Sequence, residues 1–259
     1  VTTTAPTGAP EAGAGMYEGL LRDLLATGAM RRDDTVLVQF AGAFDRDVAA
    51  RLGLERATFV NLAPDSPSAR LDDAVQGDAH RMDLPDGGFD HVVGHAGLHH
   101  CSRPHQALHE MYRIARGTVV AVENQDSVLM RVAQRAGLAG TYEFDAVADG
   151  GGTTGGVDGT GVPNHVYRWT RREVLKTVRT FDPGREVPVE FHAHWLVGPE
   201  RALTPGMRAV LGERGAAPRG VRAWAGTALN RGLNTLARGQ GNIFGFVIRK
   251  DLARPHPWI

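Results

Sequence analysis

The chain has 259 residues, 42% of them apolar, enough for one large α/β domain or a domain with a small cap. Its 29 basic and 29 acidic side chains cancel, so no net field favours nucleic acid or an anionic membrane, and a small, roughly neutral substrate or another protein is the better match. The single cysteine, Cys101, excludes an intramolecular disulfide framework, and no run reaches the ~20 apolar residues needed to span a bilayer.

Residues 1–15, VTTTAPTGAPEAGAG, lack the basic start and apolar core of a signal peptide and read as a disordered tail. The expectation is a cytoplasmic protein with a single domain over residues 16–259. From Met16 to Thr27 apolar residues recur at helical spacing. TVLVQF, 35–40, is a nearly all-apolar run that fits a strand buried on both faces of a parallel sheet. A helix over 45–54 follows, with Asp45 as a possible N-cap, and then a second strand over 57–62, closing a right-handed βαβ unit. A weak third strand is expected at 73–76 and a fourth at FDHVVGH, 89–95. Next come a helix over 104–116, a fifth strand over 118–123 and a helix over 126–138 capped by Asp126. This alternation predicts a doubly wound parallel sheet with its site at the carboxyl ends of the strands.

After Leu138 the texture changes. The Gly/Thr-rich stretch at 146–165 is too long for an ordinary connector and reads as either a mobile lid or a disordered insertion, within a lid or substrate insertion over 139–169. A helix over 170–178 starts at Thr170, with Glu173 completing a capping box. A strand over 187–197, a helix near 220–237 and a final strand over 242–250 complete the chain.

The stretch 77–123 carries three features: GDA around Asp78, the turn LPDGGFDHVV running into the fourth strand, and GLHHCSRPHQALHEMYRIAR with its leucine, two histidines and Pro-started helix. On these it resembles the small-molecule type of class I S-adenosylmethionine-dependent methyltransferases. The resemblance implies a mostly parallel, seven-stranded Rossmann-like sheet ending on an antiparallel strand, S-adenosylmethionine as cofactor and a small-molecule substrate, in keeping with secondary metabolism. It places Phe40, Ala41, Gly42, Asn61, Leu62, Asp78, Ala79 and His95 around the cofactor. The loop departs from the family pattern: Val38 stands at the usual acidic position, Phe40 and Phe44 replace two of three glycines, and Asn61 replaces the acid that accepts the ribose hydroxyls.

The residues also allow plainer roles: Gly42 a tight turn, Asn61 a turn cap, Asp78 a solvated acid. His99 and His100 sit just past the fourth strand and are candidate proton acceptors, though His99 can also serve as a structural hydrogen-bonding residue. Glu123, at the tip of the fifth strand, is a candidate base or substrate anchor. Asn164, Tyr167, Arg168 and Trp169 are candidate substrate-binding residues, with Arg168 suited to a carboxylate or phosphate and the aromatics equally able to be core. Among the other histidines, His91 and His95 share a strand face and His105 and His109 a helix face, but no three are forced onto one point, so no metal site is assigned. The alternatives to methyl transfer are a cyclase, decarboxylase or lyase on the same fold, with or without a metal, and a non-catalytic binding module.

Overall fold

A computed structural model describes residues 13–64, 71, 73–197 and 219–258. The expected tail at 1–15 therefore lies almost wholly outside the described residues. Helix α1 (Ala14–Ala26) leads into β1 (Thr35–Gln39), α2 (Ala43–Leu52), β2 (Arg56–Asn61), β3 (Val75–Gln76), β4 (Phe89–His95), α3 (Pro104–Ile114) and β5 (Ala115–Gln125). Helix α4 (Val128–Arg135) precedes a segment with β6 (Tyr142–Glu143), α5 (Asp145–Asp149), β7 (Asn164–His165) and β8 (Arg168–Trp169). Then come α6 (Arg171–Phe181), β9 (Arg185–Glu186), β10 (Val189–His194), a helix at Arg219–Leu236, β11 (Ile243–Arg249) and β12 (Arg254–Pro255).

The main sheet runs β10-β11-β5-β4-β1-β2-β3. Strands β1 to β5 are parallel, β11 is antiparallel to both its neighbours, and β8 adds a short parallel pairing to the end of β5. This is the doubly wound sheet expected from the alternation, with β8 as an eighth strand. The order reverses between β1 and β4, so the connections leave on opposite faces there and open a crevice between the two strand tips.

Period-two alternation divides the core. Leu37, Val92, Val119 and Phe246 face α3 and α6 with Leu108, Met111 and Val174, whereas Val36, Val38, Val93 and Val120 face α1 and α2 with Tyr17, Leu21, Val48 and Leu52. Each fully buried Leu or Val contributes about 1.5–3 kcal/mol. Two layers of such residues fix the strand tips to rigid elements.

The helix starts refine the sequence expectations. Gly42 is the N-cap of α2, and Asp45 sits one turn in, where its Oδ2 accepts from Gly42 N at 2.9 Å. Ser127, not Asp126, caps α4 by accepting from Met130 N, because Asp126 is drawn into a pair with Arg131. Thr170 and Glu173 form the expected capping box on α6. The 139–169 segment has defined structure: β6 and β7 pair antiparallel, Glu143 opposite Asn164, and β8 joins the main sheet. The segment is thus a hairpin tied to β5.

Candidate active site

At the tip of β1 the chain turns through Phe40, whose φ is 61°. At the tip of the adjacent β4, Ala96 has φ 49°. Left-handed backbone costs a residue with a Cβ roughly 1–2 kcal/mol. Among the described residues the third non-glycine case is Asp158, at φ 48° in the 139–169 segment; its Oδ1 accepts from Ser102 N at 2.9 Å, just beyond β4. All three strained residues therefore gather on the carboxyl edge of the sheet.

The Phe40 turn is held by its neighbours. Ala41 N donates to Val60 O at 2.9 Å, and Asn61 Nδ2 donates to Ala41 O at 2.7 Å while Asn61 Oδ1 accepts from Ala63 N at 2.9 Å. Asn61 thus braces the loop in a turn-capping role. The Phe40 ring lies against Gly97, where an added Cβ meets Phe40 Cγ at 2.0 Å, and against Gly94. Gly97 is therefore required by the ring that crosses the crevice. On the other face, His95 stacks on Tyr17 at 5.3 Å and meets Phe44 at 5.5 Å, inside an aromatic cluster beneath α1. His95 and Phe44 belong to that packing. Leu62 is 38% exposed at the tip of β2, with Gly159 of the 139–169 segment close above it. Asp78 Oδ1 receives His80 N at 2.9 Å and the His80 ring at 2.8 Å; burial pushes its carboxyl up, but these bonds outweigh it and leave it below the ordinary value.

The tips of β4 and β5 carry the second group. Glu123 is buried, and its Oε1 accepts from Gly97 N at 2.9 Å and Leu98 N at 2.7 Å, fixing the turn that leads to the two histidines. Its Oε2 lies 2.6 Å from His99 Nδ1. The other side of the His99 ring faces Glu143, with Nε2 3.3 Å from Glu143 Oε2, and His100 Nε2 is 3.5 Å from the same oxygen. Asn164 is buried; its Nδ2 donates to Glu143 Oε2 at 3.1 Å and to His99 O at 3.3 Å, while its Oδ1 has no hydrogen-bond partner. Burial alone pushes the His99 imidazole down, but Glu123 and Glu143 together hold it up at about 10. The same contacts, led by the one to His99, draw Glu143 down to about 2. Burial, followed by the charge of His99, keeps His100 below its ordinary value.

The structure thus joins His99, His100, Glu123 and Asn164 in one cluster and separates the other candidates from it. Trp169 is fully buried against His105 and Phe246 and is core, not a substrate wall. Tyr167 packs edge-on to Trp169 and donates its hydroxyl to Glu173, so it seats α6. Arg168 donates to Val166 O at 3.2 Å and Gly140 O at 2.8 Å, tying the 139–169 segment closed where a carboxylate or phosphate ligand was expected. His91 bridges Thr118 and Asp34, His105 meets Glu173, and His109 packs on Phe181, three separate places. Glu143 was missed in the sequence, because only the pairing of β6 with β7 brings it beside Asn164.

A mostly parallel sheet with this order, helices on both faces and a crevice at the β1/β4 switch point is the Rossmann-like methyltransferase fold. The family model for a methyltransferase domain matches residues 42–136. A Bacillus halodurans protein described as a candidate methyltransferase shares the fold at TM-score 0.52 and 18% identity, over 89% of this chain and 98% of that one. An S-adenosylmethionine-dependent methyltransferase of Archaeoglobus fulgidus does so at 0.51 and 13%, over 93% and 96%. Among curated proteins none matches the chain in sequence. Residues 42–136 thus match the methyltransferase domain, and the chain shares its fold with S-adenosylmethionine-dependent methyltransferases. Among the described residues no helix is long and apolar enough to cross a membrane.

Proposed function

We propose that the protein is an S-adenosylmethionine-dependent methyltransferase acting on a small metabolite at the carboxyl edge of β1, β4 and β5, with residues 139–169 as its lid. The observation that carries this reading is the left-handed backbone of Phe40 and Ala96 at the two strand tips that flank the switch point. Strain of this kind persists only where the surroundings hold it, and it clusters at functional sites. The loop fits the cofactor in its backbone: the turn that the family makes with glycine is kept here by Phe40, braced through Ala41 and Asn61.

Gly42 at the head of α2, and Leu62, Asp78 and Ala79 along the outer side, are the residues to hold the adenosyl group. Phe40 adds a ring where the family pattern has none, and Asn61 offers no carboxylate to the ribose. When bound, S-adenosylmethionine supplies an electrophilic methyl group. The protein's own contribution is mainly positioning, since Glu123 fixes both the 97–98 turn and the His99 ring beside the acceptor side of the crevice. The buried, unpartnered Oδ1 of Asn164 offers an acceptor for a donor group on the substrate. The family match favours this reading over the lyase-type and binding-module alternatives. Calorimetric titration with S-adenosylhomocysteine tests it: one saturable site is expected, and an absence of both heat and thermal shift overturns it.

A further inference from the structure

The cluster at the tips of β4 and β5 contains two kinds of contact. The pair between His99 Nδ1 and Glu123 is 2.6 Å long, an ordinary charge-assisted hydrogen bond. The contacts from Glu143 Oε2 to His99 Nε2 and to His100 Nε2, at 3.3 and 3.5 Å, are too long for that. They are the right length for something else. Ligand atoms bound at about 2.0–2.1 Å around a tetrahedral ion lie about 3.3 Å from one another. One ligand atom from each of the three residues lies within 4.8 Å of the other two, so one ion can reach all of them once the side chains close on it.

We propose that His99 Nε2, His100 Nε2 and Glu143 Oε2 form a three-ligand site for a divalent transition ion of the zinc type. Two imidazoles and one carboxylate suit zinc, cobalt(II) or iron(II) better than magnesium or calcium, which prefer all-oxygen sites.

The surroundings supply what such a site needs beyond its ligands. Glu123 accepts a hydrogen bond from the His99 Nδ1–H, which sets the tautomer with Nε2 free to face the other two ligands and fixes the plane of the ring. Glu123 is itself held by two backbone N–H groups, so the orientation is rigid. Asn164 holds the third ligand through Glu143 Oε2 and, through His99 O, the backbone of the first. His99 is buried, whereas His100 and Glu143 keep about a third of their side-chain surface exposed (29% and 37%), so further coordination comes from the solvent side. Water or an oxygen of the acceptor takes that position, and His100 then acts as a ligand in place of a proton acceptor. The histidine pairs on β4 and α3 that the sequence brings to mind are not part of this site, because each is engaged elsewhere.

The site is independent of the adenosyl crevice, so it is tested without cofactor. Tag-free, chelator-stripped protein is titrated with Co2+ and then Zn2+, read by the visible ligand-field bands of bound cobalt(II) and by calorimetry. One equivalent of Co2+ is expected, with bands of tetrahedral or five-coordinate intensity that Zn2+ abolishes. His100→Ala and Glu143→Gln, both partly exposed and so compatible with folding, are each expected to weaken binding at least about 100-fold, whereas His105→Ala leaves it unchanged. No saturable binding overturns the proposal and leaves an imidazolium held between two carboxylates. Binding that survives both His100→Ala and Glu143→Gln overturns it equally. A protein that binds Co2+ but not S-adenosylhomocysteine retains this site while losing the methyl-transfer reading.

Discussion

At the amino edge of the sheet, Asp90 accepts from Thr35 N at 2.9 Å and Thr35 Oγ1 at 2.7 Å and pairs with Arg116 at 2.8 Å, while His91 bridges Thr118 and Asp34. Arg113 ties Leu84 O, Met82 O, Asp86 and Glu110 together beside it. Polar groups there meet at ordinary hydrogen-bond lengths. At the carboxyl edge of the same strands, three non-glycine residues have positive φ, two carboxylate–imidazole contacts are over-long, and a buried amide oxygen lacks a partner. Both edges are made of similar residue types. The difference teaches that the amino edge is arranged for the fold, whereas the carboxyl edge keeps strain and unmatched polar groups that a ligand can use.

The contrast is tested most severely at Glu123, which serves both purposes. Glu123→Gln leaves two backbone N–H groups with a weaker acceptor and His99 without its charge partner, and is expected to cost about 3–5 kcal/mol in chemical denaturation. A loss below about 1 kcal/mol means that Glu123 is not the brace of this edge. Next in size, Gly97→Ala drives a Cβ into the Phe40 ring and is expected to cost about 1–3 kcal/mol, with most of the loss recovered when Phe40→Ala is added. Strict additivity of the two changes contradicts the placement of the ring across the crevice. Restoring the family's acid by Asn61→Asp exchanges the brace on Ala41 for a charge-assisted ribose contact. It is expected to tighten S-adenosylhomocysteine about tenfold at about 1 kcal/mol of lost stability.

The smallest effect is expected at the amino edge. The Thr35 N–H above all, together with the Thr35 hydroxyl and Arg116, holds the Asp90 carboxyl below its ordinary value of 3.8. A carboxyl lowered in the fold stabilises at neutral pH, and that contribution is lost as pH falls below 3.8 through the folded-state value. Asp90→Asn should therefore remove about 1 kcal/mol at pH 7, less of it as the pH drops below 3.8, and leave cofactor binding unchanged. A change in cofactor binding would erase the distinction between the edges.

The sheet was legible because each strand is a short apolar run and each helix carries a regular stripe, so β4 at 89–95 and the capping box at Thr170 and Glu173 follow directly from local pattern. His99, His100 and Glu123 were legible as neighbours at the carboxyl edge because strand ends in a doubly wound sheet converge. Glu143 was not, since nothing in its own neighbourhood distinguishes it until β6 pairs with β7. Arg168 and Trp169 misled for the opposite reason. Their residue types suit recognition, but the pairing of β8 with β5 turns the indole into the core and leaves the guanidinium on backbone carbonyls. Asp45 and Asp126 are acids near helix starts, and only the backbone decides whether such a residue sits at the cap or one turn away. Local signals fix elements, whereas site membership at this edge is decided by contacts between residues about 20–65 positions apart.

The central claim is that the crevice between the tips of β1 and β4 receives the adenosyl cofactor despite Phe40 and Asn61. A crystal structure of the protein soaked with S-adenosylhomocysteine tests it most directly. Density for the ligand is expected along the tips of β1, β2 and β4, beside Gly42, Leu62 and Asp78, with the left-handed turn at Phe40 retained. Density for the Phe40 ring and none for ligand in that crevice, at saturating concentration, would contradict it.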